Sequence, residues 1–165
     1  MKAVTERDIR ASLVNVTKGE AKRLAVPRDL ATRPWEDLDF LGWRDPAAPE
    51  RACLVTESGD GFVALALRIA APSAARARRS MCSLCLTTHT GDGVSLMTAR
   101  KAGPEGRLGN SLGTYICTDL ACSLYLRGKK VPAAGGARLY ESLTLDEQIE
   151  RTVGRLAGFV ARVVG

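Results

Sequence analysis

The pattern of apolar and polar positions predicts two short helices at the beginning of the chain. Thr5 followed by Asp8 has the spacing of a helix N-cap, and apolar residues recur after it at helical intervals. The same cap pattern returns in Thr17 and Glu20, and Pro27 predicts the end of this second helix. Residues 27–50 then hold four prolines, which indicates an irregular segment.

Short apolar runs predict two pairs of strands in the middle of the chain. Residues 52–56 and 62–67 flank a turn-rich link, which is typical of a hairpin. Residues 94–99 and 112–116 predict a second strand and its return, and the glycines of residues 103–109 indicate a flexible tip between them. Two tryptophans in the irregular segment are expected to pack inward.

The last element is predicted to be an amphipathic helix. Thr144 and Glu147 form a capping box, and apolar residues follow at helical spacing. The apolar stripe consists of Leu145, Ile149, Val153, Leu156, Val160 and Val163. Short strands with helices at both ends predict an α+β fold with a small mixed sheet.

Composition predicts one domain with its own core. The chain has 165 residues and is 45% hydrophobic, which suffices for a buried core without disulfides. We predict an N-terminal helical extension over residues 1–26, packed on a domain of residues 27–165. The start of the chain becomes charged at once and no apolar run is long enough to span a bilayer, so we expect a cytoplasmic protein.

Positive charge is concentrated in the middle of the chain. The net charge is +6, but residues 72–138 alone carry +7 and the remainder carries −1. Such a stretch favours an acidic partner, either a nucleic acid or an acidic protein face. A solvated surface with an uneven distribution of charge is the alternative. Residues 72–79, rich in alanine and arginine, are expected to form a connector.

Four of the five cysteines form two close pairs. Cys82 and Cys85 have C-x₂-C spacing, and Cys117 and Cys122 have C-x₄-C spacing. Two such pairs can supply the tetrahedral thiolate shell of one structural zinc ion. With Cys117 at the end of a strand and Cys122 in the first turn of a helix, the order of elements is that of a treble clef. Cys53 stands alone in a predicted strand and is expected to be a core residue.

Three other interpretations of the cysteine pairs remain open. His89 could replace one thiolate, although its place in a predicted loop favours a solvated side chain. Cys82 and Cys85 could form a redox dithiol, but a thioredoxin-like βαβ context is missing from the sequence. The four thiols could also simply be buried.

The residues favour a binding protein over an enzyme. Four thiolates close the zinc shell, whereas a catalytic zinc keeps an open position for water. His89 is the only histidine, and the glycines of residues 103–109 lack the G-K-[ST] ending of a phosphate-binding loop. We therefore predict no catalytic residues.

The cysteine motifs and their surroundings resemble the treble-clef zinc domain of the FusB-type fusidic acid resistance proteins, which bind elongation factor G. The most specific block is the Tyr-Ile-Cys-x₄-Cys sequence that begins at Tyr115. The resemblance extends over roughly residues 15–163. It is carried by residues 18–24, 40–45, 81–85, 94–101 and 113–122. Family members often have asparagine directly after the last cysteine, where this chain has Ser123.

The resemblance implies a fold, a cofactor and a partner. It implies an α+β domain around one structural zinc ion held by Cys82, Cys85, Cys117 and Cys122. The implied activity is binding of elongation factor G and its release from ribosomes on which it has stalled, as fusidic acid causes. Resistance to the drug and a role in ordinary translation are both compatible with this activity.

A basic face with one aromatic residue is expected to contact the partner. Basic side chains accelerate and orient the encounter, while a buried aromatic side chain contributes more of the affinity. The expected contacts are Tyr115, Arg100, Lys101, Arg127, Lys129 and Lys130. An RNA-binding zinc finger that uses the same charges is the alternative, although few aromatic residues lie near the finger for base stacking. We expect a monomer.

Overall fold

The computed structural model describes residues 1–71 and 79–165 and centres on a five-stranded sheet with the order β1-β2-β3-β6-β7. Two short strands, β4 and β5, pair separately. The strands are β1 (Leu41–Arg44), β2 (Arg51–Ser58), β3 (Gly61–Ile69), β4 (Ser80–Met81), β5 (Thr88–His89), β6 (Val94–Arg100) and β7 (Ser111–Cys117). The predicted connector falls largely on residues 72–78, which lie outside the described part of the chain.

Five α-helices are found among the described residues, and three of them begin at the predicted capping boxes. In each box the threonine side chain accepts a hydrogen bond from the third helical residue, whose carboxylate bonds back to the threonine N–H. The helices are α1 (Glu6–Ser12), α2 (Lys18–Arg23), α3 (Gly103–Arg107), α4 (Cys122–Leu126) and α5 (Leu145–Val164). None of the described helices combines the length and the hydrophobicity that a membrane span requires.

The predicted α+β class is confirmed, with one correction to the sheet. All four pairings between its strands are antiparallel, so the sheet is not mixed. A parallel bridge between Leu13 and Ala64 lies outside the named strands. Short connections join β1 to β2, β2 to β3 and β6 to β7, and such connections favour antiparallel pairs.

Apolar clusters lie on both faces of the sheet, but the face that carries Tyr115 stays exposed at the β6–β7 side. Along β2, Cys53 and Val55 belong to one apolar cluster and Leu54 to the other, as the alternation of side chains in a strand requires. Helices α4 and α5 and the cysteine pairs pack on the Leu54 side. Helix α1 and both tryptophans pack on the other side, as predicted.

The predicted stripe of α5 is only partly correct. Leu156, Val160 and Val163 are buried, but Leu145 and Val153 are exposed. The helix instead also buries Gln148, Thr152 and Phe159. Thr152 Oγ1 donates to Gln148 O of the same helix, 2.8 Å away, so the buried hydroxyl has a partner. The helical spacing of apolar residues by itself does not predict that this polar side chain is buried.

Gly103 and Gly106 lie in helix α3, so the prediction of a flexible tip is wrong for residues 103–107, and Gly109 follows the helix. Gly106 is buried against the turn that leaves β6. A Cβ atom at this position would lie 1.7 Å from the carbonyl oxygen of Lys101. The glycine is therefore required for close packing of backbone on backbone.

The first residues of the chain pack against the sheet. Ile9 of α1 is fully buried, and Val14 N–H donates to Ala64 O at 3.1 Å. The division into an extension of residues 1–26 and a domain of residues 27–165 stays a prediction.

Candidate metal centre

The two cysteine pairs meet at one end of the sheet. Cys82 and Cys85 lie in a knuckle between β4 and β5. Cys117 is the last residue of β7, and Cys122 is the first residue of α4, as predicted for a treble clef. All four side chains are buried.

Two residues with left-handed backbone form the tight turns of the site. Leu86 (φ 59°) follows the first pair, and its N–H donates to Cys82 O at 3.0 Å. Leu120 (φ 57°) lies within the second pair, and its N–H donates to Cys117 O at 2.8 Å. The Leu120 side chain packs on Gly42 of β1, where a Cβ atom would lie only 2.4 Å from Leu120 Cβ. This contact joins the site to the far edge strand.

The four sulfur atoms have the spacing of a tetrahedral zinc site. They all lie within 4.8 Å of one another. Cys82 Sγ is 3.7 Å from Cys122 Sγ, and Cys85 Sγ is 3.6 Å from Cys117 Sγ. With Zn–S bonds of about 2.3 Å, the edge of a regular tetrahedron is about 3.8 Å. The site is therefore suited to one zinc ion with a complete sulfur shell.

The thiols have opposed proton affinities because they are crowded together. Hydrogen bonds from Cys117, Cys122 and Cys85 lower the pKa of Cys82 well below its usual value. Hydrogen bonds with Cys117, Cys82 and Cys85, and to a smaller extent burial, raise the pKa of Cys122 well above its usual value. One thiolate forms readily here, while further negative charge needs a cation at the centre.

His89 is not a solvated loop residue, and that expectation is wrong. It ends β5, is 3% exposed, and its Nε2 lies 3.3 Å from Cys117 Sγ. The ring packs edge-on against Tyr125, with 4.8 Å between the ring centroids. His89 therefore contacts the sulfur shell from outside, as residues that orient metal ligands do.

A polar network continues from His89 through Tyr125. The Tyr125 hydroxyl donates to Asp119 at 2.8 Å, and Lys130 forms an ion pair with the same carboxylate at 2.7 Å. The backbone N–H of Ala121 donates to Asp119 at 3.1 Å. These contacts fix the loop between Cys117 and Cys122.

Ser123 links α4 to the segment before β1. Its Oγ accepts the N–H of Asp39 at 3.0 Å. The Asp39 carboxylate in turn accepts two hydrogen bonds from Arg127, at 2.7 and 2.8 Å. This bidentate pair raises the pKa of the arginine, chiefly through the hydrogen bonds with Asp39.

Most of the predicted basic contacts form ion pairs within the chain. Arg127 binds Asp39, Lys129 binds Asp37 at 2.5 Å, and Lys130 binds Asp119. Lys101 binds Glu105 at 2.5 Å. Their positive charge is thus partly neutralised by carboxylates, which a charge count along the sequence does not reveal.

Tyr115 and Arg100 lie on one open face of the sheet. Tyr115 is 55% exposed and pairs with Leu96, four residues before Arg100 on β6. Residues two apart on a strand share a face, so Leu96, Thr98 and Arg100 lie on the side of Tyr115. Arg68 of β3 pairs with Thr98 and belongs to the same face. Sequence reasoning missed Arg68, because its placement depends on which strands are neighbours.

A family model described as the FBP C-terminal treble-clef zinc-finger matches residues 8–163. The chain belongs to this family. The FusB-type resemblance of the cysteine motifs and the expected zinc cofactor are confirmed by this match together with the four clustered sulfurs. Neither a search of the curated proteins nor a search of solved structures finds a match.

Proposed function

We propose that this protein binds elongation factor G through its treble-clef domain and promotes release of the factor from the ribosome. The observation that carries the proposal is the family match over nearly the whole chain, 8–163. In this proposal Cys82, Cys85, Cys117 and Cys122 hold one structural zinc ion. The protein acts in the cytoplasm as a monomer and is not an enzyme.

The role of the zinc ion is to hold the binding face rigid. Tyr115 lies two residues before Cys117 on β7, so the ion fixes the end of the strand that carries the aromatic side chain. A structural zinc ion contributes about 10–16 kcal/mol of apparent binding energy in small fingers, enough to order this region. A rigid face loses little conformational entropy when a partner binds.

Tyr115 and Arg100 are the contacts that the structure supports best. Both side chains lie on the open sheet face, and Arg68 extends the positive charge of that face. Lys129 and Lys130 are about half exposed and can exchange their intramolecular carboxylates for those of a partner, whereas the Lys101 side chain is only 27% exposed. Arg127 is less suited to this exchange, because it and Asp39 are both largely buried.

Release follows from differential affinity. A protein that binds free elongation factor G more tightly than the ribosome-bound factor shifts the equilibrium toward the free form without any chemical step. The same activity serves resistance when fusidic acid holds the factor on the ribosome.

Binding is tested with the zinc-loaded protein and purified elongation factor G. We expect a stable complex, and Tyr115→Ala should weaken it about tenfold or more, as truncation of a central aromatic contact does. Tyr140→Ala is the matched control, because Tyr140 is a fully exposed tyrosine in the segment before α5. Equal affinity of both variants would contradict the role of Tyr115.

Release is tested on ribosomes stalled with fusidic acid and labelled elongation factor G. Addition of the protein should accelerate dissociation of the factor. Tight binding to bare ribosomal RNA without binding to the factor would overturn the proposal in favour of an RNA-binding zinc finger.

A further inference from the structure

We infer that the outer edge of β7, together with one flank of α5, forms a groove that binds an acidic, extended polypeptide segment as an added strand. The groove has a volume of about 490 Å³. Its lining combines the knuckle, the edge strand and the helix. The residues are Ser83, Leu84, Thr114, Arg155, Gly158, Phe159 and Arg162. The inference does not depend on elongation factor G being the partner.

Within residues 1–71 and 79–165, no strand of the sheet pairs with the outer edge of β7, which borders this groove. β7 is the last strand of the sheet, so only its inner edge pairs with β6. Asn110 O accepts from Lys101 on the inner side, whereas Tyr115 O accepts the N–H of Ser83 on the outer side. Because backbone groups alternate sides along a strand, Gly113 and Ser111 also direct their N–H and C=O outward.

The knuckle already uses one position of this edge. Ser83 N–H donates to Tyr115 O at 2.8 Å and covers the Cys117 end of β7. Beyond Tyr115, Gly113 lacks a side chain and leaves the backbone accessible. An incoming strand can therefore continue the ladder where the knuckle leaves it.

Helix α5 forms the second wall and runs beside β7. Arg155 donates to Ser83 O at 3.0 Å near the knuckle, and Val163 O accepts the N–H of Ala102 near the other end of β7. Between these ends Gly158 faces the groove, and a Cβ atom there would meet nothing within 4 Å. An exposed glycine in the middle of a helix costs stability without serving a contact inside the chain.

The charge of the groove selects the occupant. Arg155 and Arg162 lie seven residues, or two helical turns, apart on the flank of α5. Neither guanidinium has a carboxylate within ion-pair distance in the part of the chain that the structure describes. A strand with glutamate at alternate positions would direct all its carboxylates to this side, since alternate side chains share a face.

The probe is a fluorescein-labelled eight-residue peptide of alternating glutamate and valine, added to the zinc-loaded full chain. We expect saturable binding and slower amide hydrogen exchange at Gly113. Arg155→Gln and Arg162→Gln should each weaken binding about fivefold to tenfold, while Arg28→Gln should not. Arg28 is the matched control because it is an exposed arginine in the segment near β1, at the opposite edge of the sheet.

The backbone contact has its own pair of variants. Gly113→Ala and Gly113→Pro both introduce a Cβ atom beside Leu96, but only proline removes the outward N–H. We expect Gly113→Pro to bind the peptide at least about tenfold more weakly than Gly113→Ala, the loss of one well-formed backbone hydrogen bond. Two results with the unmodified chain would overturn the inference. One is absence of binding to the glutamate–valine peptide, and the other is equal binding of a peptide in which lysine replaces each glutamate. Competition by single-stranded RNA at equal concentration would also overturn it, because the groove would then select negative charge rather than an extended peptide.

Discussion

The side-chain amide of Asn15 forms two hydrogen bonds with the backbone of Ala66 on β3. Asn15 Nδ2 donates to Ala66 O, and Ala66 N–H donates to Asn15 Oδ1, both at 2.9 Å. Nδ2 also donates to Arg100 O at 3.1 Å. Strands β3 and β6 pair only at Arg68 and Ile69, so Asn15 bridges the gap where they separate.

Replacement of Asn15 by alanine should destabilise the fold. The side chain is buried, and its loss leaves backbone groups of β3 and β6 without partners, which costs about 1–3 kcal/mol for each buried group that stays unsatisfied. We expect a decrease of roughly 3 kcal/mol in the free energy of unfolding, measured by urea denaturation. Asn110→Ala is the control, because Asn110 is exposed and should change stability by less than about 0.5 kcal/mol. Equal effects would contradict the bridging role.

Arg127→Ala should destabilise the protein far more than Lys129→Ala. The side chains of Arg127 and Asp39 are 15% and 8% exposed, so truncation leaves a carboxylate buried without its partner, at a cost of about 3 kcal/mol. Lys129 pairs with Asp37 but is 55% exposed, and its loss should cost less than about 1 kcal/mol. Thermal denaturation of both variants measures the difference. If Arg127→Ala were as stable as Lys129→Ala, Arg127 would be free to serve as a partner contact.

Two glycine-to-alanine substitutions should have opposite effects. Gly106→Ala would place a methyl group against Lys101 O and should destabilise by about 1–3 kcal/mol. Gly158→Ala adds a methyl group in open space on α5 and should stabilise by about 0.5–1 kcal/mol through helix propensity. Chemical denaturation distinguishes them. A destabilised Gly158→Ala would show that the helix flank is less open than the structure indicates.

Metal analysis of variants can distinguish the four-cysteine zinc site from the alternative in which His89 replaces one of the cysteine ligands. We expect one zinc ion per chain, lost in Cys82→Ser, retained in His89→Gln and retained in Cys53→Ala. The reason is that the four sulfurs complete a tetrahedron by themselves, with His89 Nε2 against Cys117 Sγ rather than within the shell. Metal analysis after gel filtration gives the stoichiometry. Loss of zinc from His89→Gln together with retention in a cysteine variant would show a Cys₃His site instead.

Cys53 should make the fold sensitive to alkaline pH. Burial raises the pKa of this thiol from about 9 to about 12. Above pH 9 the unfolded chain loses the proton while the folded chain keeps it, so stability decreases by up to about 1.4 kcal/mol per pH unit until pH 12. Cys53→Ala should remove this component, as seen in urea denaturation at pH 8 and pH 10. An identical pH dependence in both proteins would contradict the assignment.

The local elements could be predicted from the sequence because their signals are short-range. Capping boxes at Thr5, Thr17 and Thr144 depend on residues three positions apart, and the hairpin of β2 and β3 depends on its turn. The clustering of the cysteines likewise follows from their spacing, because each pair spans one tight turn. The first pair lies in the turn before β5, and the second pair spans the turn that leads into α4.

The sequence by itself determined the class of fold, the caps, the treble-clef order and the pairing of cysteines into one site. Only the tertiary structure decided which charged and polar side chains from distant segments of the chain contact one another. It buried His89 against Cys117, paired Arg127 with Asp39 and placed Asn15 between two strands. These contacts join residues 28, 88 and 51 positions apart, and a local pattern carries no information on such separations. The free face of Tyr115 and the open edge of β7 depend on strand order for the same reason.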